Sequence, residues 1–230
     1  MIFKSKPITS YDDFSVWEIG VDRVPDVTQF VFEVYFNRFS KEYHWEGEYE
    51  KLESDDNAVL WDSTIYAALD KEESILATIR TIERRGHPLP IERDFKVDVF
   101  QVCDDINLVP NRIFEGGRFA KSTEKAKKSG ILRSRGIALM EELLACTVYT
   151  CSQEKNNIWF STIDTHVLYL LRSRGLRFSP IGKTDMNYLG SPTVPVCLPI
   201  DECRNYMREF NYIRYLRYFR PVGETVSHAK

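Results

Sequence analysis

The stretch Ile113-Phe114-Glu115-Gly116-Gly117-Arg118-Phe119-Ala120 constrains this chain more than any other. Its apolar ends read as a strand over residues 112–120. A strand turns successive side chains to opposite faces, so Glu115 and Arg118 would point apart. Two consecutive glycines between them predict a β-bulge at Gly116 or Gly117. A bulge resets the alternation, frees backbone groups and lets a ligand come close to the chain. The plainer reading is a surface Glu and Arg beside a glycine-softened strand.

The elements on either side alternate in type. Val31, Val34, Tyr35 and Phe39 keep helical spacing within residues 28–43, and residues 46–58 are acid-rich and irregular enough to predict a mobile loop. Residues 64–69 and 74–82 are apolar runs separated by Asp70-Lys71-Glu72-Glu73, which predicts two antiparallel strands and a tight turn. Gly86, Pro88 and Pro90 mark a loop, followed by a short helix and connection over 91–110. Beyond the glycine-bearing strand come a basic loop (121–130), an amphipathic helix (134–151) and a buried strand (158–162). A helix from Thr165 to Arg174 is stopped by Gly175, and short strands are expected near 177–182 and 194–200. An amphipathic helix rich in Tyr and Arg covers 201–220, with a flexible tail over 221–230. No repeat or linker interrupts the chain. One domain over residues 1–230, of mixed α/β class with helices packed around one sheet, is the expected organisation.

Composition narrows the function. At 230 residues with 43% hydrophobic side chains the chain can bury a core, which excludes a disordered chain. A net charge of −3 and the lack of a base-reading motif argue against nucleic acid as partner. Five cysteines without a C-x-x-C pair predict buried reduced thiols, and four scattered histidines show no metal spacing, so no metal site is expected. The N-terminal residues lack a signal-peptide apolar run, and no stretch reaches the ~20 apolar residues of a membrane span, so a cytoplasmic location is expected. One local charge asymmetry stands out. Lys121, Lys125, Lys127, Lys128, Arg133 and Arg135 face a single acid, Glu124, and form either a solvated run or a patch that steers an acidic partner.

Arg133-Ser134-Arg135-Gly136-Ile137-Ala138 follows a strand and opens a helix, where glycine and free N–H groups can receive a phosphate. An ordinary basic helix start would look the same. The string resembles the R/Q-x-x-G-x-G/A pyrophosphate loop of the GCN5-related N-acetyltransferase superfamily. Glu115-x-x-Arg118-Phe119-Ala120 resembles the strand signature of acyl-homoserine-lactone synthases and of the related long-chain N-acyl amino acid synthases. Other landmarks keep that family's order: Phe39 and Trp45 after the first helix, Arg80 ending a strand, and the run from Trp159 to Gly182. Leu89-Pro90-Ile91-Glu92 looks more like the N-acyl amino acid branch, and the resemblance spans roughly residues 28–200. Two departures bear on function. Tyr35 stands where lactone synthases carry an arginine, and their loop aspartates have only Asp56 and Asp62 as candidate counterparts.

The resemblance implies an N-acetyltransferase-like fold: a central, mostly antiparallel sheet splayed at its middle, with helices on both faces. It implies an acyltransferase that moves a fatty acyl group from acyl carrier protein, or coenzyme A, to a small amine. The favoured acceptor is an amino acid such as tyrosine. Glu115 would be the base, and Arg118 would orient either Glu115 or the acceptor carboxylate. Arg80, Phe39, Trp45 and Asp62 would handle the acceptor, and Phe119, Lys121, Arg133, Arg135 and Gly136 the acyl-pantetheine. No cofactor beyond the carrier's phosphopantetheine is implied. The Tyr/Arg-rich C-terminal segment would close over a long acyl chain or touch a membrane surface. The alternatives are a lactone synthase using S-adenosylmethionine and a catalytically silent acyl-binding module on the same fold.

Overall fold

The computed structural model describes residues 4–39, 44–131 and 133–219; the side chains at 39 and 133–135 lie outside that description. Nine strands join one sheet. They are β1 (Lys6–Ser10), β2 (Ser15–Glu18), β3 (Ser63–Leu69), β4 (Ile75–Glu83), β5 (Ile113–Lys121), β6 (Ile158–Asp164), β7 (Ser179–Pro180), β8 (Asp185–Tyr188) and β9 (Ser191–Pro199). Their order is β1-β2-β3-β4-β5-β6-β9-β7, with β8 also paired to β9. Only β5 and β6 run parallel. The first pair, over 6–10 and 15–18, and β8 went unread in the sequence because all three are short, and β1 and β8 are largely exposed as well.

Helices cover both faces. On one face, α1 (Val24–Phe39) packs Val27, Phe30 and Val31 against Ile65, Ala67 and Ala120 of the sheet. Beside it lie α2 (Glu48–Ala58), α3 (Pro90–Asp94) and α4 (Val99–Asp105). Ile91 and Val99 close over Ile82, Ile113 and Phe160. The opposite face carries α5 (Thr123–Lys128), α6 (Arg133–Cys151), α7 (Thr165–Ser173), α8 (Ile200–Phe210) and α9 (Tyr212–Phe219). There Leu139, Leu143, Val148, Cys203 and Met207 join Phe114, Ile79, Trp159 and Leu198 in the larger core. All five cysteines are buried free thiols, as expected. Among the described residues no helix is long and apolar enough to cross a membrane.

Three expected elements are corrected. Residues 48–58 form a helix, not a mobile loop, because Leu52 and Asp56, one helical turn apart, face inward while Glu50 and Glu53 face water. Lys121–Gly130 is not a loop throughout, since Ser122 caps a short helix by accepting from the Lys125 N–H. The C-terminal segment is two helices, broken at buried Asn211. The Asn211 side-chain oxygen accepts from Arg214 and its carbonyl from the Tyr215 N–H, which starts α9 afresh. Glu142 of α6, 1% exposed, then accepts from Arg214, Arg217 and Tyr218, so α9 is strapped along α6.

The sheet splays between β5 and β6. Their ladder runs from the pair Ile113–Ile158 to the pair Gly116–Ser161 and stops, although the strands continue to Lys121 and Asp164. The bulge lies one step further on than expected. Gly116 and Gly117 pair in register with Thr81 and Arg80 of β4, and the irregularity sets Arg118 and Phe119 against Ile79. Arg118 takes the left-handed conformation (φ 54°). Gly116 has a different task. A Cβ there would stand 2.1 Å from the Trp159 indole nitrogen, whereas one at Gly117 would meet nothing within 4 Å. Gly116→Ala is therefore expected to lower unfolding stability by about 1–3 kcal/mol, as overpacking does. Gly117→Ala should leave stability within about 0.5 kcal/mol or raise it slightly. Urea titrations of the two variants read the difference directly.

Candidate active site

At the splay, two connected cavities cross the sheet. The first holds about 160 Å³ and is walled by Arg80, Glu115, Gly117, Arg118 and Tyr188 on the α3 side and by Leu144, Trp159 and Phe178 on the α6 side. The second holds about 650 Å³ between α1, α5, α6 and α7, with Lys121, Lys125, Gly136, Met140 and Leu170 in its wall. Tyr35, Arg38, Phe119, Leu144, Val167 and Leu171 border both. A cavity of ~150 Å³ takes a group the size of benzene, so the first fits a small reacting group. The second has room for an extended chain.

Asp56 organises the charged wall. It is 5% exposed, and its Oδ1 accepts from Arg118 Nε (3.0 Å) and Nη2 (2.8 Å) and from Arg80. Its Oδ2 accepts from Thr28 Oγ1 of α1 at 2.7 Å. Burial works to raise its pKa, but the two guanidinium groups and the Thr28 hydroxyl outweigh it and hold the carboxyl below its ordinary value. The bulge is what brings Arg118 to the same carboxylate as Arg80. Thr78 Oγ1 fixes it by donating to the Arg118 carbonyl at 2.8 Å.

Glu115 lies on the same face, 4% exposed, and its Oε2 accepts from the Ile91 N–H at 2.9 Å. Burial pushes its pKa up to about 8, against the opposing pull of that N–H and of Arg80. The Leu89–Glu92 segment that presents this N–H is itself fixed. Glu92 accepts from the Leu89 N–H and forms an ion pair with Arg84. A carboxyl poised near neutrality in a cavity wall is suited to taking and giving a proton.

The structure gathers some expected site residues and leaves others out. Glu115, Arg118, Arg80 and Phe119 meet in the first cavity, and Lys121 and Gly136 join Phe119 in the second. A Cβ on Gly136 would stand 3.3 Å from Lys121 Nζ. Asp62 stands apart from the two cavities. It ends a short 3-10 turn (Leu60–Asp62), lines neither cavity, and yields the buried position to Asp56. Trp45 also lines neither cavity; its ring packs edge-on against Phe32 and Phe36 of α1. The side chains of Phe39, Arg133 and Arg135 fall outside the described residues. Arg118 pairs with Asp56, which sets its guanidinium in the charged wall beside Arg80. Among the described residues no cluster of three or more His, Cys, Asp or Glu is placed to hold a metal.

Sequence reasoning passed over Tyr188, Asp94 and Trp159 as cavity residues. Tyr188 donates to Asp94 Oδ2 at 3.1 Å and stacks at a tilt on Phe95, closing the α3 side. Its strand β8 carries no periodic signal. The Gly116 position signals a close neighbour, as a glycine in a strand does, but not that the neighbour is Trp159.

No family model matches the chain, and no curated protein does. Solved structures do. FeeM, an N-acyl amino acid synthase from uncultured soil microbes, superposes with TM-score 0.54 at 13% identity, over 88% of this chain and 93% of FeeM. The coenzyme-A-dependent acyl-homoserine lactone synthase BjaI, with SAM and isopentyl-CoA, gives 0.52 at 17% identity over 83% and 86%. A GNAT-family acetyltransferase from Staphylococcus aureus gives 0.51 at 11% identity over 81% and 99%. The chain therefore has the GCN5-related N-acetyltransferase fold, as its sequence resemblance implied.

Asp56 is the residue whose loss the architecture should feel most. Asp56→Ala leaves two buried guanidinium groups without their counter-charge, a change that typically costs about 3–5 kcal/mol. Asp56→Asn should cost less at neutral pH. Because the folded pKa of Asp56 is depressed, its stabilisation is present above the unfolded carboxylate pKa of about 3.9 and is lost as pH falls below it. The gap between wild type and Asp56→Asn in chemical denaturation should accordingly narrow with acidification.

Proposed function

We propose that the protein is an N-acyltransferase that moves a fatty acyl group from the thioester of an acyl carrier protein to the amine of an amino acid. The observation that carries this reading is the buried Glu115, with a pKa near 8, at the mouth of a splayed pair of strands. An amine must lose a proton before or as it attacks a thioester, and α-amino groups titrate near 8 themselves. Glu115 takes that proton directly or through one water. Beyond the Gly116–Ser161 pair the facing edge of β5 is free of β6, and a backbone N–H there can stabilise the tetrahedral oxyanion. The larger cavity, with Lys121 and Gly136 in its wall, receives the pantetheine arm.

The amino acid acceptor rests on charge. Arg80 and Arg118 share the single carboxylate of Asp56, and the buried Arg80 Nε has no hydrogen-bond partner. That open donor on a buried guanidinium favours an acceptor with its own carboxylate. Tyr35, which borders both cavities, replaces the arginine that resemblance associates with S-adenosylmethionine handling. The carrier protein rests on exposed Lys127 and Lys128 of α5, beside the wider cavity.

Purified protein should convert acyl carrier protein thioester and amino acid to an N-acyl amino acid, read by mass spectrometry. Formation of homoserine lactones alone would sink the acceptor assignment. Glu115→Gln should slow turnover about 10²–10⁴-fold while donor binding survives. With wild type, kcat/KM should rise with pH through a step near 8, and in Glu115→Gln only the amine's own titration should remain. Lys127→Glu should weaken use of the carrier-protein donor in low salt and less so above about 0.15 M, where the Debye length is ~8 Å. Turnover of a small pantetheine thioester should not change. Equal loss with both donors would remove Lys127 from carrier recognition.

A further inference from the structure

Helix α9 is amphipathic in the reverse sense. Arg214, Arg217 and Tyr218 lie three and four residues apart, so they share one side of the helix. All three turn inward and donate to the buried carboxylate of Glu142. Arg214 also donates to Glu141 and to the Ala138 carbonyl, and Arg217 to the Tyr11 hydroxyl. Tyr212, Ile213 and Leu216 are left on the other side. Tyr212 is 57% and Ile213 76% exposed, Leu216 is half-buried, and Phe210 at the end of α8 is 66% exposed. A surface helix ordinarily turns its apolar side to the core and its charges to water. Single exposed apolar residues are common, but a helix pinned by its arginines with its apolar side outward marks a surface that meets an apolar partner.

The charge beside that face indicates the partner. Lys155, Arg204, Arg208 and Tyr215 wall a cavity of about 340 Å³ along α8, and among the described residues lining it Asp201 is the one acid. Tyr215 joins this cavity to the apolar face, because its ring stacks on Tyr212 at 6.4 Å, and Arg204 lies over the Phe219 ring at 5.8 Å. The whole chain carries a net charge of −3, so these cations are a local concentration. Aliphatic and tyrosyl side chains rimmed by cations complement an anionic bilayer, where hydrocarbon lies just beneath a layer of phosphates. Two other occupants fit less well. A second copy docked through the same face would bring two basic rims into one interface, where like charges oppose association. Residues 221–230 have only Val222 and Val226 as large apolar side chains with which to cover it.

We propose that the outward face of α9 docks on the surface of an anionic phospholipid bilayer. Tyr212, Ile213 and Leu216 enter the headgroup region, and Lys155, Arg204 and Arg208 receive lipid phosphates. The ion pairs to Glu142 hold α9 in the docking orientation before any lipid arrives. The proposal does not rest on the acyl-transfer reading, and its test needs no turnover.

The protein is floated with vesicles of phosphatidylcholine alone and of phosphatidylcholine mixed with phosphatidylglycerol. Wild type should bind the mixed vesicles, and raising salt should weaken that binding. Ile213→Ser should lower the affinity about tenfold or more, as loss of a large aliphatic side chain from an apolar contact does. Arg208→Gln and Lys155→Gln should each lower it about fivefold, the effect of one basic residue beside an anionic surface. Ile213, Arg208 and Lys155 are exposed, so all three variants should melt with the wild type. Absence of wild-type binding to the mixed vesicles overturns the proposal. Equal binding to phosphatidylcholine alone also overturns it, by removing the role of the cations. Undiminished binding by Ile213→Ser overturns it too, by placing the contact elsewhere on the molecule. A dimer in sedimentation velocity that Ile213→Ser dissociates would assign the face to a second copy instead.

Discussion

A single buried carboxylate holds the functional half of this molecule together. Asp56 takes hydrogen bonds from Arg80 on β4, Arg118 on β5 and Thr28 on α1 while itself sitting on α2. Each partner is costly to bury alone, and the arrangement is stable because the charges are paired and hydrogen-bonded together. The consequence reaches the backbone. Arg118 adopts a left-handed conformation that L residues enter at a cost, and its carbonyl is clamped by Thr78 while its guanidinium is clamped by Asp56. The bulge persists because both ends of the residue are held.

The bulge and the splay are separate devices with separate causes. Gly116 keeps the strand flat against the Trp159 ring, and the ladder to β6 ends at that residue. Two positions later the bulge turns Arg118 to the acidic side. Without the splay there would be no passage through the sheet; without the bulge Arg118 would face the apolar side and Asp56 would meet one guanidinium. The cavity is thus divided by the strand layer into a charged half and an apolar half.

Much of this was legible in the sequence where the signal was local. The strand with Glu115 and Arg118, the helix stopped at Gly175 and the paired strands around Asp70 follow from spacing and turn chemistry. What was misread depends on partners distant in the chain. Helix α2 looks like a loop because only Leu52 and Asp56 are buried, and Asp56 is buried only because two arginines more than twenty residues away need it. The glycines looked like the bulge because nothing in residues 112–120 reveals the indole from residue 159 that Gly116 must admit. Asn211 looked like one more helical residue, yet its side chain and carbonyl both serve the next helix.

The protonation of Glu115 follows from the same charge arrangement. Arg80 and Arg93 would, by themselves, favour an ionised Glu115, and Asp94 would oppose them. Its raised pKa shows that desolvation wins over this attraction, and the Ile91 N–H only moderates it. An acceptor that brings a carboxylate to the arginines would offset their charge and raise the Glu115 pKa further, favouring its protonated form. The incoming ammonium group acts in the opposite direction, because a cation beside a carboxylate favours the ionised form. A zwitterionic acceptor therefore leaves the base near its starting balance, whereas an amine without a carboxylate would hold Glu115 ionised. Under the proposed function, the charge of the acceptor would set the availability of Glu115 as a base as well as the affinity of the site.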